Sequence, residues 1–253
     1  MSTVEMSQDG MRPTTPSVGG PTGWRRALLL VNAVIAWAAV TLSLTLNLSG
    51  YYLGRDTPDS PTILGGVPGG QDTALERFLD WSSYFTILSN VTIAVVLTVL
   101  LLKPRLFTRR GPVGATWQAL RLDSVMMIVV TGVVFNLLLA GGEKSGWDAI
   151  SNAMVHIITP TVTALVWLVA GPRGLIRWST IPAALVLPLA WAGYALLRGS
   201  VIGAYPYPFL DVAANGLPSV LVFIGVICVF GIVIAIVMLG LDALMRRVLP
   251  ARQ

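Results

Sequence analysis

The stretch WSSYFTILSNVTIAVVLTVLLL, residues 81–102, runs between Asp80 and Lys103 without one charged side chain. A helix crossing a bilayer needs ~20 mostly apolar residues, so this segment reads as a membrane span. Five other runs have the same character. The six lie at approximately Trp24–Leu48, Leu79–Leu102, Leu120–Ala140, Ala149–Ala170, Trp178–Leu197 and Leu217–Leu241. Composition agrees: of 253 residues, 55% are hydrophobic and 11% charged, against roughly 25% charged in soluble domains. The chain therefore reads as all-α, a polytopic bundle of six transmembrane helices spanning residues 24–241. Residues 1–23, rich in Ser, Thr, Pro and Gly, have little to bury and are expected to be disordered. Residues 242–253 read as a basic tail. The first apolar run is too long for a signal-peptide core and lacks a small-x-small cleavage site, which makes it a retained span.

Basic residues set the expected orientation. Thirteen of the 17 Lys and Arg fall in the N-terminal tail, the second loop, the fourth loop and the C-terminus; only Arg55, Arg77, Lys144 and Arg198 fall on the other side. Both termini are thus expected in the cytoplasm, with the plasma membrane as the location. The net charge of +5 is a topology signal of this kind. Because the cations are spread over four segments and not gathered in one patch, it does not point to nucleic acid.

Several chemistries find no support. Cys228 is the only cysteine and His156 the only histidine, so no disulfide framework or thiolate metal site is expected. A catalytic zinc usually takes three protein ligands, commonly several imidazoles. No metal and no cofactor are expected. The glycine pairs Gly65-Gly66 and Gly69-Gly70 sit in a polar loop and not after a strand, and no repeat suggests an inverted-repeat transporter.

Polar residues at membrane depth need another explanation. On a continuous helix, Ser82, Ser83, Thr86, Ser89 and Asn90 recur at spacings of three and four and share a face. Asn152, His156, Thr159 and Thr163 form a second stripe on the fourth span. Pro160 removes the partner of the His156 carbonyl and is expected to kink that helix. Counted from Asp80 and Asp148, Thr86 and His156 differ by only ~3 Å in depth, and Asn136 on the third span comes to a similar level. Such stripes often serve as interhelical glue, and a membrane Thr often bonds back to its own helix. His156 is a different matter, since ionisable groups inside membranes are rare and usually functional or paired. A hydroxyl beside an imidazole is the makings of a nucleophile and its base. Asn90, Asn136 and Asn152 are candidates to hold an oxyanion, or in the case of Asn152 to orient the ring. Asp123 is expected to pair with Arg121 or another inner arginine, and Asp80 to cap the second helix or lie at the interface.

YFTILSN (84–90) and NAMVHIITP (152–160), together with YPYPFLD (205–211), resemble the bacterial predicted six-pass integral membrane proteins. Those are in turn similar to the androgen-induced-gene family of eukaryotic membrane hydrolases, which split fatty-acid esters of hydroxy fatty acids with an intramembrane Thr and His. The resemblance covers about Trp24 to Leu241. It implies that Thr86, in Tyr84-Phe85-Thr86-Ile87, is the nucleophile. It also places the family's Asn-x-x-x-His run on Asn152 and His156, with Pro160 one residue nearer the His than the family pattern has it. Tyr84, Ser89, Thr159 and Pro160 become expected pocket residues, and a lipid or acyl ester within the bilayer the expected substrate.

The expectation is an ester hydrolase with a lipid-accessible site between the second and fourth spans. The alternatives are a lipid or small-solute carrier in which His156 relays protons, and a structural or accessory membrane protein in which the stripes are packing glue.

Overall fold

The computed structural model describes residues 23–53, 62–64, 73–141 and 144–248. The tail expected over 1–23, all but Gly23, and both glycine pairs lie outside them. Six helices are long and apolar enough to cross a membrane: Gly23–Leu48, Phe85–Leu102, Pro112–Leu139, Gly146–Ala170, Thr180–Ile202 and Leu217–Val248. The chain is therefore a multi-pass, all-α membrane protein. Among the described residues the only β pairing is an isolated bridge between Ile63 and Tyr205.

We number the helices α1 (Gly23–Leu48), α2 (Ala74–Ser82), α3 (Phe85–Leu102), α4 (Pro112–Val134), α5 (Gly146–Ala153), α6 (Thr159–Ala170), α7 (Thr180–Ala184), α8 (Val186–Ile202), α9 (Val212–Asn215) and α10 (Leu217–Val248). The core lies where α1, α3, α4 and α6 meet, around Leu29, Ile93, Leu97, Leu122 and Ile128. Helix α10 is peripheral: 17% of its apolar window is buried, against 56% for α3.

Four spans depart from a simple reading of the sequence, and the departures build the site. The second span is not continuous from Leu79. Helix α2 stops at Ser82, Tyr84 is extended (φ −77°, ψ 134°), and α3 starts afresh at Phe85. The hydroxyls of Ser82 and Ser83 turn back to the Leu79 carbonyl, while Trp191 Nε1 donates to the Ser83 carbonyl. The five polar residues of that stretch therefore do not form one helical stripe. The third span starts earlier than hydropathy suggests, with Gly111 at φ +83° and Pro112 at the first helical position, so Arg121 and Asp123 lie well inside it. It ends in a π-helical turn, Phe135–Leu139. In the fourth span Pro160 is preceded by another π-helical turn, Met154–Ile158, in which the Thr159 N–H reaches the Met154 carbonyl. The extra residue accommodates the hydrogen bond that proline cannot make. The sixth helix runs through Asp242 and Arg246 to Val248, so the start of the expected basic tail, residues 242–248, is helical and continuous with the span.

Small residues let the two modified spans meet. A Cβ on Gly132 would stand 2.8 Å from Pro160 Cβ and 3.5 Å from the His156 carbonyl oxygen. Only a glycine lets α4 lie this close to the proline. Polar pairs across the interfaces add the glue the stripes promised. Ser89 bonds Thr131 at 2.8 Å, and Thr163 donates to Asn32 at 3.0 Å.

Candidate functional site

Because α3 begins at Phe85, Thr86 sits in a first helical turn, where backbone N–H groups have no partner within the helix. Its side chain meets His156 from the π-helical turn of the neighbouring span, with Thr86 Oγ1 and His156 Nε2 3.1 Å apart. The other ring nitrogen, Nδ1, faces the Asn152 backbone oxygen at 3.2 Å and its Oδ1 at 3.0 Å. A carbonyl can only accept, so in a neutral ring Nδ1 carries the proton and Nε2 offers its lone pair. The Thr86 hydroxyl is then the donor to His156. Phe135, the first residue of the π-helical turn in the third span, lies flat on the imidazole at 3.7 Å between centroids and 11° between planes. The two π-helical turns thus face one another across the ring.

A third group completes the arrangement, and it comes from a loop. The Tyr207 hydroxyl stands 3.2 Å from Thr86 Oγ1 and accepts from the Thr86 backbone N–H at 3.2 Å. With the Thr86 hydroxyl donating to His156, the phenol gives its own proton to Thr86 Oγ1. Burial pushes the Tyr207 phenol up from its ordinary value, while the hydrogen bonds from Thr86 and Phe85 pull it down. The burial effect prevails, which keeps the hydroxyl protonated at neutral pH.

The loop holding Tyr207 is fixed at several points. Pro206 and Pro208 flank it in sequence. The backbone of Tyr205 pairs with Thr62 and Leu64 at 2.8 and 2.9 Å, and its ring lies over Gly199, where a Cβ would come within 2.2 Å of it. Asp211 caps α9 through the amides of Ala213 and Ala214 and accepts from the Thr62 hydroxyl. Tyr84 and Phe209 pack on the Tyr207 ring, at 5.7 and 5.1 Å.

Thr86 and Tyr207 are among the residues that line a partly open cavity. Elsewhere its walls are largely apolar and come from α4, α8 and α10, including Val134, Pro188, Ala192 and Ile227. The second and fourth spans supply the Thr86–His156 contact, and three others contribute walls of the cavity. His156 is not one of the lining residues, whereas Phe135, which lies flat on its ring, is.

The other expected residues fall into place as follows. Asn152 holds the imidazole. Asn90 donates its amide to the carbonyls of Thr86 (2.8 Å) and Val155 (3.1 Å); both donor positions are engaged away from the cavity. Asn136 is exposed and donates to Gly132 of its own helix. Ser89 bridges to α4, Thr159 is buried with its hydroxyl unpartnered, and Pro160 packs at Gly132. Asp80 binds Arg198 at 2.6 Å and ties α2 to α8. Asp123 makes no ion pair with Arg121: its Oδ1 and the Nε and Nη1 of Arg121 are all buried without partners. The two residues are only two apart on one helix and point in different directions. Among the described residues, no three His, Cys, Asp or Glu side chains gather as metal ligands would. Tyr207 was not among the expected site residues. The available signal was an aromatic held between two prolines in YPYPFLD.

No family model, curated protein or solved structure matches the chain.

Proposed function

We propose that this protein hydrolyses acyl esters within the membrane, with Thr86 as nucleophile, His156 as general base and Tyr207 as oxyanion donor. One observation carries the reading: the Thr86 hydroxyl is 3.1 Å from a lone-pair nitrogen of His156, and Thr86 is one of the residues lining a largely apolar cavity. A hydroxyl with a base in hydrogen-bond reach and room for a substrate beside it is what nucleophilic catalysis requires.

In the proposed reaction, Thr86 Oγ1 attacks the ester carbonyl carbon and its proton passes to His156 Nε2. The carbonyl oxygen becomes an oxyanion and receives the Tyr207 O–H. Collapse breaks the bond to the alcohol oxygen, which leaves with the proton from His156, and an acyl-Thr86 remains. Water, deprotonated by His156, attacks this ester; the carboxylic acid departs and the proton returns to Thr86. Asn152 keeps Nδ1 protonated throughout. The largely apolar walls suit an acyl chain, as does the likeness of YFTILSN and NAMVHIITP to the androgen-induced-gene hydrolases. The asymmetry of basic residues supports a plasma-membrane bundle with both termini inside. The carrier reading is less well supported, because the imidazole is tied within its own helix and covered by Phe135.

The test uses purified, detergent-solubilised protein, a panel of acyl esters and a fluorophosphonate probe. Thr86→Ala, His156→Ala and the double variant should lose activity to a similar residual level, because residues that act as a unit are not additive. The probe should label Thr86 in wild type and leave Thr86→Ala unlabelled. Folded wild-type protein that takes no probe and cleaves no ester would replace this proposal with the carrier.

A further inference from the structure

At the opposite end of the bundle from Thr86, two arginines hold donors with nothing to receive them. Arg121 stands on α4 nine residues in from Pro112, about 13 Å along the axis, and is only 3% exposed. Its Nε and Nη1 are buried and unpartnered. Arg173, in the loop after α6, is near enough to act on it electrostatically. Its guanidinium lies over the Trp167 ring at 5.4 Å and gives Nη2 to the Leu168 carbonyl, while Nη1 is buried without a partner. Arg25 adds further positive charge near Arg173. The carboxylate that acts on Arg173 is Asp242, whose oxygens are engaged by the Gly174 N–H at 3.0 and 3.2 Å and by Arg246 Nε at 3.5 Å. Asp123 is not paired with Arg121, as described above.

Two buried guanidiniums repel each other, and each unsatisfied N–H adds a desolvation cost. An anion between them would remove both penalties at once. Guanidinium N–H groups are disposed in a planar fork that suits two oxygens of a tetrahedral or carboxylate anion. We propose that Arg121 and Arg173 form a binding site for a phosphate-type oxyanion, supplied by the headgroup of an anionic phospholipid in the adjoining leaflet. The leaflet is favoured as the source because Arg173 lies in the loop just past the end of α6 in a bilayer-spanning bundle, where headgroups are concentrated and free phosphate must reach past them. Arg173 is half-buried and gives the headgroup its way in. The site is independent of the Thr86 chemistry.

Thermal unfolding of the full-length protein in detergent tests it. The titrants are phosphatidylglycerol, phosphatidylcholine and inorganic phosphate. Phosphatidylglycerol should raise the Tm saturably, and phosphatidylcholine should not. An equal effect of inorganic phosphate at the same concentration would keep the oxyanion site but overturn the lipid as its source. Arg173→Gln should raise the half-saturating phosphatidylglycerol concentration at least tenfold, and Arg121→Met should abolish the response. Thr86→Ala should respond as wild type does. No response in wild type, or an equal response in wild type and Arg173→Gln, overturns the site, and this arm decides even if Arg121→Met does not fold.

Discussion

The Tyr207 hydroxyl touches both the side chain and the backbone N–H of Thr86, so it is the residue-scale feature that most sharply separates chemistry from packing. Tyr207→Phe keeps the edge-on contact with Tyr84 and the stack with Phe209 and removes one hydrogen-bonding group, so stability should fall by about 1 kcal/mol. If the phenol receives the oxyanion, the rate should fall about 100-fold or more, as loss of one such donor does elsewhere. Ester turnover and Tm measured on the same preparation check this; a rate within threefold of wild type would remove Tyr207 from the mechanism. Thr86 and His156 were legible in the sequence because a hydroxyl and the only imidazole stand at similar depths on two adjacent spans. The role of Asn152 was one of two readings that spacing left open. Tyr207 was not legible, because its position depends on a loop that folds back from between the fifth and sixth spans, and no periodicity reports a contact of that kind.

At the scale of the helix, two glycines hold the candidate site in place. Gly132 allows α4 to approach Pro160, and Gly199 allows α8 to accept the Tyr205 ring. Gly132→Ala sets a methyl 2.8 Å from a proline ring carbon, so the helices must part; overpacking of this sort costs about 1–3 kcal/mol. Gly199→Ala sets one 2.2 Å from the Tyr205 ring and must displace the loop that carries Tyr207. Gly132→Ala should lower both Tm and probe labelling at Thr86, whereas the same substitution at Gly193, where a Cβ meets open space, should change neither. Gly199→Ala should slow ester turnover to the level of Tyr207→Phe. Equal turnover by Gly199→Ala and wild type would show that the loop position is not set from α8. The six spans were legible from hydropathy alone. The break at Ser83–Tyr84 and the two π-helical turns were not, because a one-residue irregularity leaves the apolar composition of a span unchanged.

For the whole molecule, the proposed orientation rests on thirteen cations against four. Trp147, 57% exposed at the start of α5, and Arg109, exposed in the turn before α4, lie at opposite ends of the bundle. In a Cys228→Ala background, a cysteine at position 147 should react with an impermeant maleimide added outside intact cells, and one at position 109 only after permeabilisation. The reverse pattern would invert the protein, and labelling of both from one face would break the six-span topology. Asp80–Arg198, Trp191–Ser83 and the Tyr205 pairing with Thr62 and Leu64 all join the Thr86 end of the bundle. The buried arginines 121 and 173 mark the other end, so its two ends differ in what holds them together.

The break before Phe85 also has a bearing on hydration. It leaves α3 with 18 residues, roughly 27 Å of helix, against a hydrocarbon core of ~30 Å. A span of this length falls just short of that core, which puts Thr86, its second residue, close to one boundary of the oil in the proposed bundle. For the proposed reaction this divides the reactants by phase. The acyl chain reaches the hydroxyl from the oil, and the water that must release it arrives from the interface. A thicker bilayer would starve only the second of these, so the acylated protein should persist longer as lipid chain length increases.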